Sequence, residues 1–198
     1  FSKVFFSLFN SFTNSKSNHR NYFSTVTRNK LFNSFFVFTL NEDGESYTVA
    51  ANIRPIQPEE FVIPSTFKDK PVTAIGRAAF QFASGIKTAT IPDSITRIEN
   101  NAFGFCEDMT SVNIPESVTY IGQSAFGMCT KLRSVTIPSK IKVIEKSTFS
   151  DCYNLNTVIL PEGLERIESY AFANTSLSEI DIPDTVKYIT IDAFYSTG

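Results

Sequence analysis

The sequence predicts a solenoid, a stack of short coils that share one core, and three observations predict it. First, an aliphatic-Pro pair recurs as Ile63-Pro64, Ile91-Pro92, Ile114-Pro115, Ile137-Pro138, Leu160-Pro161 and Ile182-Pro183, with prolines 28, 23, 23, 23 and 22 residues apart. Second, Phe80, Phe103, Phe126, Phe149, Phe172 and Phe194 keep the same beat, at 23, 23, 23, 23 and 22. Third, further apolar columns run in phase: Ile75, Ile98, Ile121, Ile144, Ile167 and Ile189; Val72, Ile95, Val118, Ile141, Leu164 and Val186; and Ile86, Met109, Leu132, Leu155 and Leu177. A unit of about 23 residues cannot bury an apolar face alone, so units must stack and the core runs continuously through the pile.

Each element of the unit follows from local pattern. In Leu132-x-x-Val135-x-Ile137 apolar and polar positions alternate, which is the period of a strand with one buried side. Pro138 then ends that strand, because proline lacks the N–H needed to continue a ladder. Val118-Thr119-Tyr120-Ile121-Gly122 reads as a second short strand, and Gln123-Ser124-Ala125-Phe126 as a helical turn on the far side.

The consensus Ile-Pro-x-x-Val-x-x-Ile-x-x-x-Ala-Phe-x-x-Cys-x-x-Leu-x-x-Val-x-Ile-Pro, over about residues 61–198, resembles the BspA-like, or Treponema-type, leucine-rich repeat. The Ala-Phe pair, the Cys three places on and the Ile-Pro pair all recur in phase. The resemblance implies a leucine-rich-repeat solenoid, right-handed and curved, with short parallel strands stacked coil on coil and turns or short helices on the opposite side. It also implies a place on a cell surface and attachment to host proteins or cells. Residues 36–64 look like the hairpin that often precedes such arrays, with Asn41-Glu42-Asp43-Gly44-Glu45 turning between Phe36-Val37-Phe38 and Tyr47-Thr48-Val49. The organisation expected is a leader over 1–35, an N-terminal hairpin cap over 36–64, and about five to six repeats over 65–198.

Departures from the repeat are informative. Five extra residues between Pro64 and Val72 place an exposed loop, Phe67-Lys68-Asp69-Lys70-Pro71, on the first unit. One residue fewer between Phe172 and Leu177 makes that corner tighter. The sequence stops just after an Ala-Phe pair with no polar capping unit, so further repeats are expected to follow in the intact gene product.

Composition bounds the chemistry. The chain has 198 residues, 42% of them apolar and 19% charged, enough for one core. Its longest apolar run, Phe35-Phe36-Val37-Phe38, is far shorter than the ~18 residues of a membrane-spanning helix. A formal net charge of −2 argues against a general nucleic-acid binder, whose footprint is a basic face. The balance is uneven: residues 1–41 hold five Lys and Arg and no acid, so residues 42–198 hold 13 basic against 20 acidic residues, a net of −7.

No residue constellation supports catalysis, a metal or a cofactor, so an enzyme is disfavoured. Cys106, Cys129 and Cys152 lie 23 apart in one column with Ala83 and offer no closely spaced pair and no partner His for zinc. They read as buried free thiols, the alternatives being a disulfide between coils or a metal. His19 lies in the leader, away from any Ser, Cys or Asp constellation, and Glu162, Glu165 and Glu168 read as solvating turn residues. Asn174-Thr175-Ser176 matches the N-glycosylation pattern, usable only in a secreted eukaryotic chain. Residues 1–35, rich in Phe, Ser and Asn, admit three readings: an organelle transit peptide, a secretory signal, or a disordered or adventitious extension, the last being preferred.

Function therefore falls to the outward faces, where equivalent residues line up about 4.8 Å apart from coil to coil. Two columns of one strand set are mostly hydroxyl-bearing: Thr88, Ser111, Ser134, Thr157, Glu179, and Thr90, Asn113, Thr136, Ile159, Asp181. The plainest reading is that Thr and Asn suit exposed strands and pair across them. The column of the second strand set, Arg97, Tyr120, Val143, Arg166 and Tyr188, is richer in the residue types that anchor interfaces. The candidate face is thus Arg97, Tyr120, Arg166 and Tyr188 with Thr88, Thr90, Ser111, Asn113, Ser134 and Thr136. The partner expected is a protein, a host extracellular protein among the candidates, at a cell surface or outside the cell. The alternative is an intracellular, cytoplasmic scaffold using the same surface.

Overall fold

The computed structural model describes residues 35–51 and 59–198. The leader and His19 lie outside the described residues, as does 52–58 within the N-terminal cap. Two strands per coil are laid down by the alternation read from the sequence. The three-residue strands are β3 (Glu60–Val62), β6 (Thr88–Thr90), β8 (Ser111–Asn113), β10 (Ser134–Thr136) and β12 (Thr157–Ile159). The second set comprises β5 (Lys70–Ile75), β7 (Arg97–Ile98), β9 (Tyr120–Ile121), β11 (Val143–Ile144), β13 (Arg166–Ile167) and β14 (Tyr188–Ile189). Pairing between coils is parallel and moves by one coil at each step: Thr88 faces Ser111, Arg97 faces Tyr120, and Arg166 faces Tyr188.

The far side of the coil contains no helix among the described residues, which corrects the helical turn expected over Gln123–Phe126. Ser124 and Met128 take left-handed φ values of 52° and 61°, and a residue in that region breaks a right-handed turn. The result is a ladder of another kind. The N–H groups of Ser124, Phe126 and Met128 donate to the carbonyls of Lys146, Thr148 and Ser150 on the next coil, at 3.0, 2.9 and 2.8 Å. The intervening N–H groups of Ala125, Gly127 and Cys129 close four-residue turns onto the carbonyls of Gly122, Ser124 and Phe126. Every backbone donor of the stretch thereby finds a partner without a helix.

The spine inside is the one the periodicity requires. Phe80, Phe103, Phe126, Phe149, Phe172 and Phe194 stack ring on ring, with successive centroids 5.2, 5.4, 5.5, 5.6 and 5.5 Å apart. Around them the columns of Ile98, Ile95 and Met109 are fully buried. At the other end of the same columns Val186 and Phe194 are half-buried and Ile189 is exposed, since they are stacked on one side only.

At the N-terminal side β1 (Phe36–Leu40) and β2 (Tyr47–Ala51) pair antiparallel, and β2 continues into β5 in parallel. Asp43 fastens the turn: its carboxylate accepts the N–H of Glu45 and Ser46 and the Ser46 hydroxyl. These bonds hold the Asp43 carboxyl below its ordinary pKa of 3.8, so this contribution is present above that value and fades as the pH falls below it. The loop expected at Phe67–Pro71 is a hairpin instead. In it β4 (Thr66–Phe67) pairs with Lys70–Pro71 across Lys68 and Asp69, whose φ values of 48° and 63° make a primed turn. Thr66, Lys68, Asp69 and Pro71 are exposed, whereas the half-buried Phe67 ring stacks on Phe38 at 4.0 Å, joining a cluster with Tyr47.

Two interruptions mark the stack. Both strand ladders stop at the same junction, between β8 and β10 on one face and between β9 and β11 on the other, while the turn ladder and the Phe stack pass through it. In the last coil, residues 178–182 form no strand against β12, contrary to the alternation of Leu177-x-x-Ile180-x-Ile182. At the shortened corner just before it, Ser176 is tied to the preceding coil by its N–H to the Leu155 carbonyl and its hydroxyl to the Tyr153 carbonyl.

Candidate protein-binding faces

The short second strand of each coil ends on an inward isoleucine, which turns the residue before it outward. This sets Arg97, Tyr120, Val143, Arg166 and Tyr188 in one column, with Arg97 paired to Tyr120 and Arg166 to Tyr188. Each Arg lies over the Tyr of the next coil, Arg97 Cζ 4.3 Å from the Tyr120 ring centre and Arg166 Cζ 5.7 Å from that of Tyr188. Such a cation over a ring is worth about 0.5–1 kcal/mol where water has access. Each guanidinium is also held from its own coil, Arg97 by Glu99 at 2.9 Å and Arg166 by Glu168 at 2.6 Å. Two copies of one motif, a carboxylate-braced Arg lying on a Tyr, therefore sit on either side of Val143. Tyr188 is 63% exposed, whereas Tyr120 is half-buried, its hydroxyl 3.4 Å from Asn100 Oδ1. Burial, with Glu145 and Glu99 nearby, pushes the Tyr120 phenol above its ordinary pKa, so it stays a neutral donor. Glu145 is likewise raised, by burial and then by the Glu168 carboxylate.

The hydroxyl columns lie on the other sheet. Thr90, Ser111, Asn113, Ser134 and Thr136 are exposed and Thr88 is half-buried. Backbone register aligns Thr88 with Ser111, Thr90 with Asn113, Ser134 with Thr157 and Thr136 with Ile159. No side-chain hydrogen bond joins these pairs; Thr157 donates its hydroxyl to the neighbouring Asn156 Oδ1 at 3.0 Å. The structure thus puts the ten candidate residues on the two strand sets, each interrupted at the same junction, and not on one continuous sheet.

Residues that sequence reasoning passed over tie the coils at their corners. The hydroxyls of Thr96, Thr110, Thr119 and Thr130 each donate to a carbonyl 23 residues earlier, at 3.2 Å in every case. The recurrence of Thr at Thr73, Thr96 and Thr119 was the available signal for one of these columns; Thr110 and Thr130 occupy different positions of the repeat and gave none. Lys131 reaches Asp108 at 2.6 Å and Lys87 reaches Glu59 at 2.8 Å across the same kind of step.

The cysteines are free, and their sulfurs are buried in the spine. Cys106, Cys129 and Cys152 donate to the carbonyls of Phe80, Phe103 and Phe126 on the preceding coil, at 3.2, 3.3 and 3.2 Å. Burial raises the Cys106 and Cys152 thiols from 9.0 to about 12 and raises Cys129 as well. The stability held by keeping them neutral is present below pH 9 and declines as the pH rises from there toward 12. At pH 8 iodoacetamide is expected to label none of the three thiols in the folded chain and all of them in urea, as read by mass spectrometry; rapid labelling of native protein would contradict the buried column. The glycosylation triplet is also occupied. Asn174 Nδ2 donates to Asp151 at 2.7 Å, and Thr175 is buried with its hydroxyl on the Phe172 carbonyl.

Comparison with known proteins agrees with this geometry. Residues 73–198 match the model of the BspA type leucine rich repeat region, in six copies. A leucine-rich cell surface protein from Faecalibacterium prausnitzii is 28% identical with a TM-score of 0.62, over 91% of this chain and 53% of that one. The Treponema pallidum leucine-rich repeat protein is 23% identical with a TM-score of 0.61, over 78% of this chain and 83% of that one. The pneumococcal vaccine antigen PcpA is 24% identical with a TM-score of 0.64, over 82% of this chain and 45% of that one. The chain spans about half the length of the Faecalibacterium protein, and no curated protein matches it. With six in-phase repeats covering most of its length, the chain belongs to the BspA-type leucine-rich repeat family.

Proposed function

We propose that this chain is a non-enzymatic protein-binding module of a cell-surface protein that attaches to host proteins or cells. Its contact face is the column of Arg97, Tyr120, Arg166 and Tyr188. The observation that carries the reading is the pair of Arg-on-Tyr stacks at 4.3 and 5.7 Å on an open sheet face. Each presents an aromatic ring with a cation held over it, Tyr120 half-buried and Tyr188 exposed, and Tyr and Arg are the residue types that concentrate binding energy at interfaces. The likeness to a bacterial cell surface protein supports the location. Thr88, Thr90, Ser111, Asn113, Ser134 and Thr136 form a separate hydroxyl-lined face that adds polar contacts for a partner wide enough to reach it.

Two measurements test the reading. Biotinylation of intact cells with a membrane-impermeant reagent is expected to label the parent protein; labelling only after lysis would favour the intracellular scaffold. Tyr120→Ala combined with Arg166→Ala is expected to weaken binding of the purified chain to host cells about tenfold. Undiminished binding by a variant with an unchanged circular dichroism spectrum would dismiss this face.

A further inference from the structure

We propose that the cleft between the last two coils takes an extended, basic segment of a partner protein by strand addition. The cleft encloses about 400 Å³ and is lined by Val158, Ile159, Leu160, Ile182 and Pro183 with Glu162, Asp181 and Asp184. It exists because β12 is paired on one side only. Thr157 and Ile159 face Ser134–Thr136, through bonds such as Ile137 N–H to the Ile159 carbonyl at 2.9 Å. In a parallel ladder the alternate residue faces the other way, so Val158 turns its N–H and carbonyl toward residues 179–182, and no backbone hydrogen bond spans that gap. An edge with unused donors and acceptors is what strand-adding ligands recognise.

Side chains around the cleft depart from the repeat in the direction of a ligand. Ile159 is 58% exposed in a column that elsewhere carries Thr90, Asn113 and Thr136. Ile182 is 37% exposed in a column where Ile91, Ile114 and Ile137 are buried. The rim supplies charge of one sign: Glu162, Asp181 and Asp184 form no ion pair, and no Lys or Arg lines the cleft. A strand laid along Val158 would alternate its side chains, one set over the apolar floor and the other toward the three carboxylates. Apolar residues alternating with Lys or Arg satisfy both sets. This site is independent of the Arg and Tyr column, which belongs to the other sheet.

The test uses the full chain and a fluorescent Lys-Val repeat peptide of about eight residues, a strand's length. Saturable binding is expected, with a Glu-Val repeat peptide failing to bind. Glu162→Gln, Asp181→Asn and Asp184→Asn together are expected to weaken binding about tenfold. N-methylation of alternate peptide nitrogens is expected to weaken it similarly, since it removes the donors that pair with the edge. Tyr120→Ala with Arg166→Ala is expected to leave peptide binding unchanged, so failure here and failure of the aromatic face are read separately. Absence of saturable binding, equal binding of the Glu-Val peptide, or an unaffected carboxylate variant would overturn the proposal. So would a peptide-displaced dimer in sedimentation, which would make a second copy the occupant.

Discussion

Phe126→Ala is expected to lower the free energy of unfolding by about 3–5 kcal/mol, as read from urea unfolding followed by circular dichroism. The ring is fully buried, with Phe103 at 5.4 Å on one side and Phe149 at 5.5 Å on the other, interplanar angles being 7° and 4°. Deleting it removes apolar area and opens a void that the neighbours cannot close. Their backbones are fixed by the turn ladder, in which Phe126 itself donates to Thr148 at 2.9 Å and Cys152 reaches back to the Phe126 carbonyl. Phe194 sits in the same column but has a stacked ring on one side, Phe172 at 5.5 Å, and is half-buried. Its removal is expected to cost about 1–2 kcal/mol, the value of a partly exposed side chain. The contrast isolates the stacking of coils on both sides from the intrinsic value of a Phe. Equal costs at the two positions would mean that the coils do not support one another.

The stack was legible because its cause is periodic: the same apolar residue at the same beat can only be buried once per coil. The strands followed from the alternation in Leu132–Ile137 and the stop at Pro138. What stayed hidden depends on backbone angles that these side chains do not announce. Left-handed φ values fall on Phe82, Phe105 and Met128 as well as on Asp151 and Asn174, and neither Phe nor Met signals that conformation. The hairpin at Lys68-Asp69 is hidden for the same reason, lacking the Asn-Gly or Gly that marks a primed turn. The outward column of Arg97, Tyr120, Arg166 and Tyr188 could be placed from register alone. That each Arg is braced by a Glu two residues on depends on rotamers, although Arg-x-Glu occurs at both Arg97 and Arg166. The cleft beside β12 was not legible, since Leu177-x-x-Ile180-x-Ile182 keeps the alternation of the paired coils and a lost pairing is a property of two coils together.

Gly122→Ala is expected to destabilise the fold by about 1–3 kcal/mol, the cost of forcing atoms into a packed site. A Cβ there would lie 2.4 Å from Asn100 Oδ1, 2.6 Å from Asn100 N and 2.9 Å from the Glu99 carbonyl carbon. The side-chain oxygen can swing away, but the other two atoms are main chain of the preceding coil. That coil is bound to Gly122 by its N–H to Ile98 at 2.8 Å and to Gln123 through Asn100 Oδ1 at 3.0 Å. The equivalent positions in neighbouring coils hold Glu99, Glu145 and Glu168, so a side chain is excluded by closeness of approach and not by the repeat itself. The strand ladder is interrupted just beyond it: Glu145 N–H makes no bond to the Ile121 carbonyl of the kind Glu168 makes to Ile144 at 2.9 Å. Gly163→Ala serves as the comparison, since its new Cβ would come within 2.7 Å only of the flexible Lys142 ammonium. That change is expected to stay within about 0.5 kcal/mol of wild type. In an Asn100→Ala background most of the Gly122→Ala cost should persist; its disappearance would assign the obstacle to the Asn100 side chain and not to the main chain of the preceding coil.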